Sequence, residues 1–141
     1  MKIVFRILAL AACVFVLAGA CMAQWVSCLN TMPNGGISSL GYDGTSLYAG
    51  RVQRIHVSYN QGITWTERDI GIFSNIFTIA TSGSNVFIGT YGGGVMLSTN
   101  YGATWTAVNG SIPMPAGVPR IVVSGNTVFA TVRNIQTGTS L

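Results

Sequence analysis

The stretch SYNQGITW at residues 58–65 decides the fold, because it returns as STNYGATW at residues 98–105. The two copies share five residue types at identical spacing: Ser58, Asn60, Gly62, Thr64 and Trp65, then Ser98, Asn100, Gly102, Thr104 and Trp105. In each copy β-prone runs flank an Asn-x-Gly turn, which is a hairpin signal. Asn can bond nearby backbone N–H groups, Gly accepts a positive φ, and Trp offers apolar surface for packing. The pair therefore predicts two equivalent β-hairpins.

The repeated stretch resembles the Asp-box, or BNR repeat, whose pattern is Ser/Thr-x-Asp-x-Gly-x-Thr-Trp. In that family the box forms the turn between the third and fourth strands of a β-propeller blade. Asn60 and Asn100 stand where the family usually has Asp, so the acceptor oxygen is kept and the negative charge is lost. The resemblance implies a propeller fold. It implies no particular activity, because the box is a structural device in proteins of many functions.

Short β-prone runs surround each box at matching positions. The predicted strands are 37–42, 46–50, 54–58 and 64–67, then 75–81, 85–89, 94–98 and 104–108, and finally 120–124 and 127–131. Four short strands per unit at a period of about 40 residues, without helical periodicity, are typical of propeller blades. We therefore predict an all-β, partial β-propeller of about two and a half four-stranded antiparallel blades: repeat 1 at 37–69, repeat 2 at 75–108 and an incomplete repeat 3 at 119–141. A generic β-meander or sandwich is the alternative.

The first 23 residues read as a helical secretory signal peptide, with a short basic start, an apolar run and small residues before a cleavage point. We place cleavage between Ala23 and Gln24, and residues 24–36 then form an entry segment. The alternative is a lipoprotein anchored through Cys21. The chain is therefore expected to be secreted, periplasmic or at the cell surface, with no stable membrane span after cleavage, because the apolar run is short.

Charge argues against a nucleic-acid partner. The chain has seven basic and three acidic residues, and two of the basic ones lie in the leader. The remaining basic residues are Arg51, Arg54, Arg68, Arg120 and Arg133. This set is too small and too dispersed for a nucleic-acid footprint.

The sequence offers little for catalysis. Glycoside hydrolysis needs paired carboxylates, and only Asp43, Glu67 and Asp69 are present. The Asp-box resemblance points first to sialidases, which require an arginine cluster, a Tyr–Glu nucleophile pair and an acid/base Asp. Glu67 directly follows a box, and in that family's geometry this position lies on an outer strand. His56 is the lone histidine and is expected to be exposed or between blades, so no metal site is predicted. The glycine run at 92–94 lacks the lysine and helix of a phosphate-binding loop, and no cofactor is predicted.

Aromatic side chains are the candidates for a binding surface: Tyr42, Tyr48, Tyr59, Phe87, Tyr91, Tyr101 and Phe129. Three of them, Tyr48, Phe87 and Phe129, share one repeat position, which favours packing between blades. Tyr59 and Tyr101 lie in the box turns, and we expect them to be exposed contact residues.

Three hypotheses follow for function. The first is a secreted, non-catalytic repeat module that binds a protein or glycan. The second is a fragment of an Asp-box glycoside hydrolase, sialidase-like or xyloglucanase-like. The third is a truncated remnant without independent function. Since propellers usually need about four to eight blades to close, self-association to complete the propeller is a further expectation.

Overall fold

The computed structural model describes residues 36–137, in which all regular structure is β-strand. The signal peptide with its cleavage point, Cys21, and the entry segment before Gly36 lie outside the described residues. The strands are β1 (Ser39–Tyr42), β2 (Leu47–Gly50), β3 (Arg54–Ser58), β4 (Thr66–Asp69), β5 (Ile76–Ser82), β6 (Asn85–Gly92), β7 (Val95–Ser98), β8 (Thr106–Ala107), β9 (Ala116–Ser124) and β10 (Thr127–Asn134).

These strands form two antiparallel sheets. One has four strands in the order β1-β2-β3-β4. The other has six, in the order β10-β9-β6-β7-β8, with β5 paired to β6. The predicted all-β class is confirmed, and residues 36–137 show neither a closed barrel nor a closed ring of blades. No helix in this range is long and apolar enough to cross a bilayer.

The opening hairpin has the same register in all three repeats. Gly41 lies opposite Tyr48 in the β1–β2 hairpin, Ala80 opposite Phe87 in the β5–β6 hairpin, and Val122 opposite Phe129 in the β9–β10 hairpin. In repeats 1 and 2 the third strand then pairs with the second in a common register as well, with β3 on β2 and β7 on β6. Equivalent positions can therefore be assigned from one repeat to the next.

Successive repeats are joined through their first strands, since β1 contacts β5 and β5 contacts β9. Glycines on one repeat make room for apolar side chains of the next. A Cβ on Gly41 would overlap the Ile79 side chain. A Cβ on Gly89 would overlap the carbonyl oxygen of Val118 and lie 2.9 Å from Val118 Cγ1. At both junctions between repeats, the packing around the glycine leaves no room for a side chain.

The main core lies between repeats 1 and 2. Its buried members are Tyr48, Ile55, Val57, Ile70, Ile76, Val86, Ile88 and Met96. Tyr48 is the largest, and its hydroxyl donates a 2.7 Å hydrogen bond to Asp43 Oδ2, so its polar end is satisfied. A smaller cluster of Val95, Val118 and Ile121 lies between repeats 2 and 3.

Two of the fourth strands begin later than the sequence predicts. Strands β4 and β8 begin at Thr66 and Thr106 rather than at Thr64 and Thr104. The backbone N–H groups of Thr64 and Thr104 instead each donate a 2.9 Å hydrogen bond to the Asn side chain of their own turn. Strand β9 begins at Ala116, earlier than predicted, because it also pairs with the end of β6. Repeat 3 is therefore counted from Ala116 below rather than from residue 119.

The structure decides one open alternative and corrects one expectation. Of the two alternatives for His56, exposed or between blades, exposure is excluded: His56 is buried together with Ile55 and Val57, because β3 is covered on both faces. Phe129 does not pack between blades as predicted, since 59% of its surface is accessible. Tyr48 is fully buried and Phe87 half-buried, so burial at this shared position decreases from repeat 1 to repeat 3.

Candidate functional site

The first box turn is closed by its own side chains. The Ser58 hydroxyl accepts the Gly62 N–H at 2.8 Å and donates to Asn60 Oδ1 at 3.0 Å. Asn60 Oδ1 also accepts the Thr64 N–H at 2.9 Å, and the Asn60 amide donates to Thr64 Oγ1 at 2.8 Å. Gly62 has a φ of 86°, a conformation that glycine adopts without steric cost. The polar side chains of the first box therefore form hydrogen bonds that close their own turn.

The second box turn repeats this network. Ser98 accepts the Gly102 N–H at 2.8 Å and donates to Asn100 Oδ1 at 2.9 Å. The Asn100 amide donates to Thr104 Oγ1 at 2.9 Å. Both boxes lie between a third and a fourth strand, at the position that the sequence predicted for them.

The box tryptophans differ in their surroundings. Trp65 is half-buried, and its indole N–H donates to the Gly62 carbonyl at 3.1 Å. Trp105 is also half-buried but packs against the main core. A Cβ on Gly102 would lie 3.3 Å from both Tyr48 and Val57, so the second box rests directly on repeat 1.

The two box tyrosines lie next to each other. Tyr59 and Tyr101 are 53% and 48% exposed, and the Tyr59 hydroxyl donates to the Tyr101 carbonyl at 3.4 Å. Their role as contact residues stays a prediction. They mark the end of the sheets where the box turns lie.

The three acidic side chains take part in structural contacts. Asp43 accepts backbone N–H groups of its own turn and the Tyr48 hydroxyl. Burial raises the pKa of Asp43, but these hydrogen bonds outweigh it and leave the pKa below its usual value. Arg54 lies between the other two acids, with its Nε 3.2 Å from Glu67 Oε1 and its guanidinium bonded to Asp69. The backbone N–H of Gly71 and the Arg54 side chain lower the pKa of Asp69.

The best candidate for a binding site is a cleft between repeats 2 and 3, with a volume of about 320 Å³. We call it the aromatic cleft, and it is lined by Phe77, Tyr91, Gly117, Pro119, Arg133 and Ile135. Phe77 and Tyr91 meet edge to face, with ring centroids 5.7 Å apart and an interplanar angle of 72°. They are 39% and 53% exposed, so both rings present surface to a ligand.

Two strand irregularities shape the aromatic cleft. In the β5–β6 pair, Ile76 lies opposite Thr90 and Thr78 opposite Gly89, which leaves Phe77 as an extra residue on β5. The β9–β10 pair has a similar shift near Pro119. A β-bulge redirects a side chain and bends its strand, and such bulges are common beside functional sites.

Equivalent positions of the three repeats carry Val52, Tyr91 and Arg133. Val52 bridges to Asn75 and Tyr91 pairs with Gly117, so each joins the end of a second strand to the next repeat. Arg133 occupies the same place on β10, opposite Gly117. Tyr91 was among the aromatic candidates from the sequence, whereas Phe77 and Arg133 were not predicted as site residues. A signal was available for Arg133, because Val52, Tyr91 and Arg133 each follow a predicted second strand by the same interval. The sequence held no such signal for Phe77.

Arg133 adds a positive charge to the aromatic cleft. No ion pair within residues 36–137 involves it, and none of the residues lining the cleft is acidic. A guanidinium presents a planar fork of donors that suits carboxylate and hydroxyl oxygens. The cleft therefore combines two aromatic rings with a cationic hydrogen-bond donor.

His56 is the buried titratable group in the core. Its Nε2 lies 3.7 Å from Glu67 Oε2 and has no hydrogen-bond partner. Burial lowers the pKa of His56, the nearby Glu67 carboxylate partly opposes this, and Arg51 adds to the lowering. Within the described part of the chain, no three His, Cys, Asp or Glu side chains come together as a metal site would require.

The lowered pKa of His56 predicts a loss of stability in mild acid. The folded chain favours the neutral imidazole, so the unfolded chain binds the extra proton and the free energy of unfolding falls as pH drops below 6.5. His56→Met introduces the residue found at the equivalent position of repeat 2, Met96. Urea unfolding at several pH values between about 5 and 7 should show that the free energy of unfolding falls less steeply with decreasing pH in the variant than in the wild type. The same pH dependence in both proteins would mean that another group controls this range.

Comparisons with known proteins inform the fold alone. No protein-family model and no curated protein matches this chain. Among solved structures, the chain is similar to the crystal structure of the computationally designed Ika8 protein, with a TM-score of 0.50 and 19% sequence identity. The match covers 74% of this chain but 35% of the designed protein, so the chain spans about a third of that protein's length.

Proposed function

We propose that this protein is a secreted, non-catalytic repeat module that binds a glycan in the aromatic cleft. The observation that carries the proposal is the exposed edge-to-face pair of Phe77 and Tyr91 beside Arg133, which forms no ion pair with any residue of 36–137. The apolar face of a sugar ring packs on exposed aromatic surface, and an arginine donates to its hydroxyl or carboxylate oxygens. The volume of the cleft is at the low end of the range for ligand pockets.

The placement of the acids supports binding rather than hydrolysis. Glycoside hydrolysis requires two carboxyl groups that flank the same bond. Asp43 is held in its turn, while Glu67 and Asp69 flank Arg54 on a strand whose residues are all exposed. A hydrolase fragment would need catalytic carboxylates from outside residues 36–137.

Binding to a glycan array, followed by calorimetry with the best glycan, tests this function. Tyr91→Ala should weaken binding about tenfold or more, which is about 1.4 kcal/mol, because the variant loses one of the two rings. Val52→Ala changes the equivalent position of repeat 1 and should leave the affinity unchanged. Arg133→Ala should lower the affinity for acidic glycans more than the affinity for neutral ones. Equal affinity of the wild type and Tyr91→Ala would contradict the proposal, as would the absence of any glycan ligand.

The repeat architecture supports a propeller-type assembly, which we propose as the finer description of the fold. Its support is the common register of the three opening hairpins and the side-by-side packing of β1, β5 and β9. We also propose that the chain self-associates to extend this array. Its proposed location is secreted, periplasmic or at the cell surface. The location rests on the sequence of residues 1–23.

A further inference from the structure

A hollow in repeat 1 lies at the end of the sheets where the second strands finish, as the aromatic cleft does. It has a volume of about 290 Å³ and is lined by Gln53, Asp69, Gly71, Ile72 and Phe73. We call it the repeat-1 hollow. Its walls come from the turn between β2 and β3, the end of β4 and the connection to β5, all of which lie between strands of repeats 1 and 2.

Phe73 presents its ring to solvent from a backbone that is held in place. The residue is 87% exposed, more than any other large apolar residue of 36–137. Its neighbours in the connection are anchored, since Ile70 and Ser74 are buried and Ile72 packs against the main core. The Ser74 carbonyl also accepts the Gln53 N–H at 2.8 Å. The core therefore does not use the Phe73 ring, although the chain on both sides of it is fixed.

Gln53 adopts a backbone conformation that favours glycine. Its φ is 62°, in the left-handed region that side chains other than glycine rarely enter. Gly92, with a φ of 95°, occupies the equivalent position of repeat 2, one residue after Tyr91. Repeat 1 thus keeps a strained residue where glycine would fit, and the side chain of that residue lines the hollow. Strained backbone is concentrated at active sites and ligand-binding sites.

The polar groups of the hollow suit hydroxyl groups. Asp69 Oδ1 accepts the Gly71 N–H at 2.8 Å, and the Arg54 guanidinium donates to Asp69 Oδ2. The two oxygens of a carboxylate have about four acceptor sites, so both can accept a further hydrogen bond from a ligand. The Gln53 amide can donate as well as accept. Because Arg54 balances the charge of Asp69, the hollow favours a neutral ligand over a cation.

We infer that the repeat-1 hollow is a second saccharide subsite, which takes a neutral sugar. The apolar face of the sugar ring packs on Phe73, as on other exposed aromatic rings. Its hydroxyl groups donate to Asp69 and accept from the Gln53 amide. This inference rests on the glycan-binding function proposed above and extends it to a second place on the chain.

The hollow and the aromatic cleft are close enough for one glycan chain to occupy both. Phe73 and Phe77 are four residues apart, so their Cα atoms lie at most about 14 Å from each other. The Ser74 hydroxyl donates to the Tyr91 carbonyl, and the Tyr91 N–H donates to the Asn75 carbonyl at 3.0 Å. These bonds fix the connection that carries Phe73 to the strand that carries Tyr91.

Proton–nitrogen NMR spectra of the isotope-labelled chain test the two sites separately. The probes are the methyl glycosides of glucose, galactose, mannose and N-acetylglucosamine, titrated into the millimolar range. At least one should shift the backbone N–H signals of Gln53 and Gly71 saturably. The signals of Tyr91 and Gly117 report the aromatic cleft in the same spectra. Shifts at the cleft alone would overturn this inference and leave the proposed function standing.

Variants locate the subsite. Gln53→Gly should lower the sugar affinity read at Gly71 about fivefold, the size of one hydrogen bond. Its urea midpoint should stay equal or rise, because glycine adopts this φ without strain. Phe73→Ala should lower the affinity about tenfold. Ile63→Ala is the matched control, since Ile63 is also 70% exposed but lies in the first box turn at the opposite end of the sheets.

Two further results would overturn the inference. The first is an affinity at Gly71 that neither Gln53→Gly nor Phe73→Ala changes. The second is a response of Gly71 to methylguanidinium, a model of an arginine side chain, without a response to any of the glycosides. The hollow would then be a site for a basic peptide.

Discussion

Gly89→Ala should lower the free energy of unfolding by about 3 kcal/mol, at the upper end of the range for overpacked cores. The added methyl group would overlap the Val118 carbonyl oxygen and lie 2.9 Å from Val118 Cγ1. A backbone atom cannot turn away as a flexible side chain can, so repeat 3 would have to shift against repeat 2. Urea unfolding of the wild type and the variant measures the effect.

Gly36→Ala is the matched control for this prediction. A Cβ at Gly36 meets no atom of residues 36–137 within 4 Å, so the same change of residue type should leave stability within about 0.5 kcal/mol. If Gly89→Ala unfolded at the same urea concentration as the wild type, repeats 2 and 3 would not pack as described.

The second large effect is expected for Trp105→Ala, which should cost about 3 kcal/mol, the low end for removing a large aromatic side chain from a core. Trp105 is half-buried against the main core and lies beside Gly102, which itself rests on Tyr48. Its removal would leave a void between repeats 1 and 2.

Trp65→Ala serves as the comparison, with an expected cost of about 1 kcal/mol, the size of one typical hydrogen bond. Trp65 donates to the Gly62 carbonyl within its own turn, and no core cluster in the described range includes it. Urea midpoints of the two variants give the difference. Equal losses would contradict the unequal packing of the two boxes.

The local features of this fold could be predicted from the sequence. The box residues form the expected turns because their hydrogen bonds are made within eight consecutive residues, as between Ser58 and Gly62. The second strands were located correctly because the Leu-Tyr-Ala-Gly, Val-Phe-Ile-Gly and Val-Phe-Ala-Thr runs lie at one position of the repeat, although β6 and β10 continue past the predicted ends at residues 89 and 131. Tertiary packing is not needed to recognise either feature.

The features that depend on contact between repeats could not be predicted. The sequence around His56 left it exposed or between blades, and could not show that both faces of β3 are buried. Phe77 enters the aromatic cleft through a bulge that exists only in the pairing with β6. Arg133 lies far from Tyr91 in the chain, and the pairing of β6 with β9 brings them to one cleft. Two alike box sequences likewise could not reveal that one tryptophan meets the core and the other does not.

The most direct test of the repeat-on-repeat packing is nuclear Overhauser spectroscopy of the isotope-labelled chain. We predict cross-peaks between the Gly41 α-protons and the Ile79 γ2-methyl group, and between the Gly89 α-protons and a Val118 methyl group, because both pairs are in close contact. Cross-strand peaks within each hairpin provide the internal reference. If the hairpin peaks appeared without the peaks between repeats, the repeats would not pack on one another, and the aromatic cleft would be lost with that packing.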